Sequence, residues 1–484
     1  MISQSARTGF TILCLTAFFA VFAQSEQTFS LKEAQKDFSV FRGAFEEIHP
    51  GLYWHQSRES MDRQFDQARQ SLYDGMTEGD LFQALAPVVS AMGCGHSSIW
   101  LSDETQERLN ERWKFLPFEL KFIGGKAYGR FHTAAQEGQK NPSAPGHQLL
   151  MINGQDIDSL VRAFLPLIPH DGYNTTFPYK WLEWQFANYH RILVGAADQY
   201  EVTYLDPQGQ QQTILFQAQT QRQIAASREE KSDQHADILS MEYLAQHQTA
   251  ILTVREFSNW SRNDKRVQFM KELQRHFEEM DASGTENLIL DLRGNLGGSD
   301  VMGLELLSYL IDEPIQEFHK IESRAPKPTH LAYSDNSKLY YFKTKKVNDT
   351  TYHATGVRTL KPYGPSKPGF KGKLYVFING LTFSTASDVA AQLQSRKRGY
   401  FIGQETGGGY SGNTSGSSIK IILPHSGLVC WVPIGRYYPN LPEPDMPGRG
   451  VFPDERLEPT IQDISAERDV HLERALQLIE AGGY

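Results

Sequence analysis

The chain has 484 residues, 40% of them hydrophobic and 12% aromatic, with a formal net charge of −9 at pH 7. That length predicts about three domains with ample apolar material for packed cores. The mild acidic balance, with no basic stripe, excludes nucleic acid as the expected partner.

Residues 1–23 read as a secretory signal: Arg7 supplies the positive start, Phe10 opens an almost wholly apolar run, and Val21-Phe-Ala23 fits a cleavage site before Gln24. The run is short for a bilayer span, and no later segment is long and apolar enough. The expected protein is exported, periplasmic or secreted, with no stable membrane span after cleavage. Cys14 leaves with the leader. Cys94 and Cys430 remain, too few for a disulfide framework, and they are open to one bridge or two buried thiols.

Residues 24–112 read as a helical module. Ser30 and Glu33 form a capping box ahead of Leu31, Ala34, Phe38, Phe41, Phe45 and Ile48 at helical spacing. A second helix carries Met61, Phe65, Ala68 and Leu72. A third begins near Thr77, carries Leu81, Phe82, Leu85 and Val88, and is expected to kink at Pro87. The module ends at Gly93-Cys-Gly-His96, before a strand over 97–101.

Over 113–216 the period changes to that of strands, with hairpin signals at Gly124-Gly125, Asn153-Gly154 and Asp206-Pro-Gln-Gly209. The aromatic stretch 165–197 reads as an insertion in these strands, and the polar run 217–234 as a linker. From 235 to 484 strands and helices alternate: strands over 250–254, 287–292, 373–378 and 400–403, helices carrying Val267 to Phe277, then 301–311 and 384–394. This predicts βαβ units around a mainly parallel sheet. The Tyr-, Lys- and Pro-rich region 321–371 reads as a surface excursion.

Two strand-to-loop junctions stand out. After strand 287–292, Gly294, Gly297 and Gly298 leave backbone amides uncovered by side chains. After strand 373–378, Asn379-Gly-Leu-Thr-Phe383 leads to Ser384 at a helix start, where the Thr385 amide and the helix dipole favour negative charge. Acyl transfer needs a nucleophile, a base and oxyanion donors. Ser384, His96 and the Gly297-Gly298 loop are the candidates. Each has a plainer reading: an N-cap serine, a surface or core histidine, a tight turn. No HExxH or comparable spacing supports a metal, and no cofactor is called for.

Together Gly93-Cys-Gly-His-Ser97, Asp291-Leu-Arg-Gly-Asn-Leu-Gly-Gly298, Asn379-Gly-Leu-Thr-Phe-Ser-Thr-Ala-Ser-Asp388, Glu405-Thr-Gly-Gly-Gly409 and Gly448-Arg-Gly-Val-Phe-Pro-Asp454 resemble the C-terminal processing peptidases and tricorn-core proteases. The resemblance implies an α/β fold: a crotonase-like αβ catalytic core with an N-terminal helical module and a degenerate PDZ-like β domain. It implies an exported serine endopeptidase acting on peptide or protein substrates, with Ser384 as nucleophile, Ser387 in reserve, and Gly297 or Gly298 with Thr385 as oxyanion amides.

The processing branch uses a lysine near the glycine-rich loop, and this loop has none; Lys397 and Lys420 lie beyond it. The tricorn-like branch uses a histidine matching His96, oriented by a serine before it and a glutamate in the C-terminal motif. Here Gly95 and Pro447 stand at those places, which leaves Ser97, Glu405, Glu443 and Asp445 as candidate orienters. A catalytically silent binding protein of the same fold and a Ser-Lys peptidase are the alternatives.

Overall fold

The computed structural model describes residues 27–112, 114–131, 146–220, 222–224, 237–257, 263–324, 327–335 and 343–484. The secretory signal lies outside the described residues, as does most of the expected linker. Gln219–Thr220 still pair as a strand with Lys114–Phe115.

Three helices open the described chain: α1 (Leu31–Ile48), α2 (Arg58–Gln70) and α3 (Glu78–Ala91). The Ser30–Glu33 capping box is formed, and α3 continues through Pro87. Phe38, Phe41, Phe45 and Phe65 meet edge-on or tilted in their core. Such ring pairs add about 0.5–1.5 kcal/mol each beyond area burial. Asp37, fully buried, accepts the amides of His425 and Ser426 and so ties α1 to a distant hairpin. The short strand β1 (Ser98–Trp100) follows at once from the His96 turn.

Next come β2 (Phe118–Ile123), β3 (Lys126–Phe131), β4 (His147–Ile152), α4 (Ile157–Phe164), α5 (Thr176–Leu193), β5 (Gln199–Leu205) and β6 (Gln211–Gln217). Their antiparallel sheet runs β6-β5-β4-β3-β2. The stretch expected as an insertion supplies α5, which packs on this sheet through Phe122–Tyr179 and the Lys121–Glu183 ion pair.

The remaining chain builds two more sheets. One runs β7 (Leu239–Leu244), β8 (Thr249–Val254), β9 (Asn287–Asp291), β10 (Lys373–Ile378), β11 (Tyr400–Gly403) and β12 (Glu455–Arg456), parallel except at the β7–β8 edge. Three helices, α6 (Asn263–Ser283), α7 (Asp300–Leu310) and α8 (Thr385–Ser395), share one core with Leu288, Leu290, Val376 and Ile378. Ile289, Tyr375, Phe377 and Ile402 face the other way, against Ala475 of α9 (Val470–Glu480). Burial on both faces is why β9 and β10 read as continuous apolar runs.

The other sheet, antiparallel, centres on two long strands, Thr414–Ile422 and Val429–Pro439, and also takes in Phe318–Ser323, Lys343–Lys346, Tyr352–Thr355 and β1. The region 321–371 therefore contributes strands to a sheet, and Ile321 and Ala354 join Phe318 and Tyr437 in a small core, a correction to the surface excursion. Its apolar residues are too sparse to show a period of two. The class is α/β.

Candidate active site

Parallel pairing of β9 with β10 puts Asp291 beside Phe377, so both strands end at the same level and their loops lie side by side. Cross-bonds lock them. Asn379 Oδ1 accepts the Gly294 amide at 3.0 Å, Thr382 Oγ1 donates to the Leu292 carbonyl at 2.9 Å, and the Phe383 amide donates to the Asn295 carbonyl at 2.9 Å. The two junctions form a single site.

Ser384 sits at the crest with φ 53° and ψ −131°. A residue bearing a side chain pays on the order of 1–3 kcal/mol for such a conformation and holds it only where packing dictates. Its hydroxyl makes no cap bond to α8, which removes the N-cap reading. The hydroxyl instead lies 3.0 Å from His96 Nε2, across 288 positions of sequence. Burial pushes the His96 imidazolium down from 6.5 to about 4, so the ring is neutral at neutral pH, as a base must be.

The glycine loop is equally close. A Cβ at Gly297 would lie 2.7 Å from Ser384 Cβ and 2.9 Å from the Thr385 nitrogen, so only glycine, here at φ +96°, lets the loop reach the serine. The Gly297 amide is committed to Asn295 Oδ1 at 2.8 Å, which corrects its place among the donors. Among the described residues the Gly298 and Thr385 amides carry no hydrogen bond. Thr385 Oγ1 joins the halves through the Gly298 carbonyl and Asp300, at 3.1 and 2.9 Å.

None of the expected orienters reaches His96. Ser97 is fully buried and faces His49, whose Nε2 is 3.0 Å from its hydroxyl while His49 Nδ1 accepts the Gly51 amide. Glu405 is paired with Arg449 and also accepts the Gly450 amide at 2.8 Å. Glu443 and Asp445 are exposed on the preceding loop. His96 Nδ1 is shut from solvent without a partner among the described residues. The ring is held by stacking on Phe383, centroids 4.7 Å apart, and Phe383 stands in turn on Phe177, 4.8 Å away.

Other candidates fall away. Ser387 donates to the Thr382 carbonyl at 2.6 Å and accepts the Gly408 amide at 3.1 Å, so it braces the glycine loop and is no reserve nucleophile. Lys420 bonds Asp103 and Asp335 at 2.6 and 2.8 Å, which raise its pKa and keep it charged. Cys94 and Cys430 are free and buried, the Cys94 thiol pushed up to about 12 by its apolar surroundings. Asp171, Asn174 and Phe177 of the segment before and into α5 were missed, because a stretch without strand periodicity gives no sign that it folds back over the site. Among the described residues no group of three or more His, Cys, Asp or Glu side chains could hold a metal, and no helix is long and apolar enough to cross a membrane.

Residues 248–457 match the model of Peptidase family S41. The matched family and the fold around this site are those of a serine-type peptidase. Solved structures of similar shape include mature CPAF, at TM-score 0.61 and 15% identity over 93% of this chain and 96% of that one. Mature CPAF complexed with lactacystin gives 0.62 and 15%, covering 92% and 97%.

Proposed function

We propose that the protein is an exported endopeptidase in which His96 takes the proton from Ser384, Ser384 attacks a peptide carbonyl, and water resolves the acyl-enzyme. The carrying observation is the 3.0 Å Nε2–Oγ approach at a serine of strained backbone. The Gly298 and Thr385 amides, unengaged among the described residues, hold the oxyanion. Export rests on the signal features of residues 1–23. The antiparallel sheet between Phe118 and Gln217 stands where the family resemblance puts a PDZ-like domain, and we read it as a substrate-side module.

Fluorophosphonate labelling with peptidase assay tests this reading. The wild-type chain should take one adduct, at Ser384, and folded Ser384→Ala should have neither label nor turnover. Full turnover in Ser384→Ala would sink the nucleophile. A folded wild-type chain with no adduct would mark a silent binding protein.

A further inference from the structure

We propose that Asp171 is the positioning residue of this site, holding the His96 segment and the glycine loop at their working separation; the proposal rests on the Ser384–His96 reading. Asp171 is 4% exposed and lies in the turn between Ile168 and α5. Its Oδ1 accepts the Gly95 amide at 2.8 Å and its Oδ2 accepts the Gly409 amide at 3.2 Å. Gly95 immediately precedes the base. Gly409 closes the loop that walls the nucleophile, where a Cβ at Gly408 would sit 3.0 Å from the Ser384 nitrogen and 2.5 Å from Ser387 Oγ. One carboxylate thus spans the two sides of the site.

The chemistry requires a carboxylate. Two N–H groups from separate segments converge on one side chain, so it must present two acceptors. Asparagine has the same shape but offers one acceptor and one donor, and its donor would face an N–H. Serine offers a single reach. Burial opposes the charge and pushes the carboxyl up to about 6 despite both amides. A group this expensive to bury is explained by the geometry it enforces.

The surrounding backbone makes the same attachment. Gly172 N–H donates to the Gly93 carbonyl at 2.9 Å, Tyr173 N–H to Gly448 at 2.7 Å, and Asn174 Nδ2 to Thr406 at 2.7 Å. Residues 171–174 therefore strap together the histidine turn, the glycine loop and the C-terminal motif. A Cβ at Gly172 would fall 2.2 Å from the Gly448 carbonyl oxygen, so the strap lies flush. Asp171 acts on His96 through the backbone of Gly95.

The test is a double-mutant cycle on the full chain, reading fluorophosphonate labelling with the limiting rate separated from the half-saturating concentration. Asp171→Asn should lower the limiting rate by about 10- to 100-fold, as expected for a displaced catalytic group, with half-saturation within about two-fold. In a His96→Ala background the same change should cost less than about two-fold, because the base it positions is gone. Equal losses in both backgrounds, or no loss in the wild-type background, would overturn the proposal. If Asp171→Asn does not fold, Asp171→Ser takes its place, and failure of both to fold would assign a purely structural role. Labelling that survives Ser384→Ala would instead defeat the nucleophile assignment, a separate outcome.

Discussion

Phe383 lies against the imidazole of His96 at 28° between ring planes, and it fills the space that a side chain at position 95 would need. A Cβ there would meet the Phe383 ring at 2.7 Å. The glycine before His96 is therefore the counterpart of the phenylalanine before Ser384. An aromatic ring thus packs on the imidazole where the resemblance implies an orienting serine.

Gly95→Ser tests that exchange. The added atoms must displace Phe383, so labelling of Ser384 should slow by about ten-fold or more while circular dichroism stays native. Phe383→Ala removes a side chain only 6% exposed and should cost about 3–5 kcal/mol of stability by urea unfolding. Phe383→Leu should keep more of both. Unchanged labelling in Gly95→Ser would show that Phe383 does not hold the ring.

Gly297→Ala should be inactive and folded. Its methyl would enter the space of Ser384 and the Thr385 amide and displace an oxyanion donor, a loss of about 100-fold or more in turnover. Gly294→Ala is the control, since a Cβ at Gly294 meets nothing within 4 Å, although its φ of +78° adds modest strain. Equal activity in the two variants would remove the Gly297 loop from the site.

Activity should persist into acid. In the proposed mechanism His96 serves as base only while neutral, and burial lowers its pKa from 6.5 to about 4. The competent form therefore prevails above about pH 4, and the acid limb of the labelling rate should fall near there rather than near 6.5. The same shift removes stability as pH falls through that window, so the fold must be followed in parallel. A limb near pH 7 would mean that an anion stabilises the imidazolium.

Glu317→Gln should stabilise the protein at alkaline pH. Glu317 is fully buried with both carboxyl oxygens unpartnered among the described residues, and burial, then Asp300 and Asp388, raise its pKa well above 4.5. A raised carboxyl contributes its stability below the unfolded value and loses it as pH rises through the folded one. The melting point of the variant should exceed wild type at pH 8, and the gap should close near pH 4. A lower melting point at pH 8 would refute the account.

Thiol titration should find no reactive cysteine in the native protein. Denaturation should release Cys94 and Cys430, both free. A third thiol would be Cys14, and it would mark a chain that kept residues 1–23.

Much of this was legible in the sequence because the site is built at strand ends. Apolar runs buried on two faces announced β9 and β10, and glycines announced where backbone must approach backbone. Ser384 at a helix start and His96 after two glycines were weak candidates by position alone, and the family resemblance is what singled them out. What holds His96 was not legible: Gly95 reads as a missing serine until Phe383 is seen over it. Asp171 was hidden for a related reason, since its partners are backbone amides, which carry no residue identity. The strands within 321–371 were missed because they are mostly polar and join their sheet through Phe318–Ser323, which pairs with the late strand Val429–Pro439.

The contact between His96 and Ser384 closes a loop of 288 positions, and Asp37 and the Asp171 strap tie the same early segments to chain beyond Ser384. During synthesis His96 emerges long before Ser384, and their meeting awaits late strands with slow, long-range pairing. Folding is in this sense the activation step. On the proposed mechanism, a site assembled from such distant segments cannot cut while the chain is still being made.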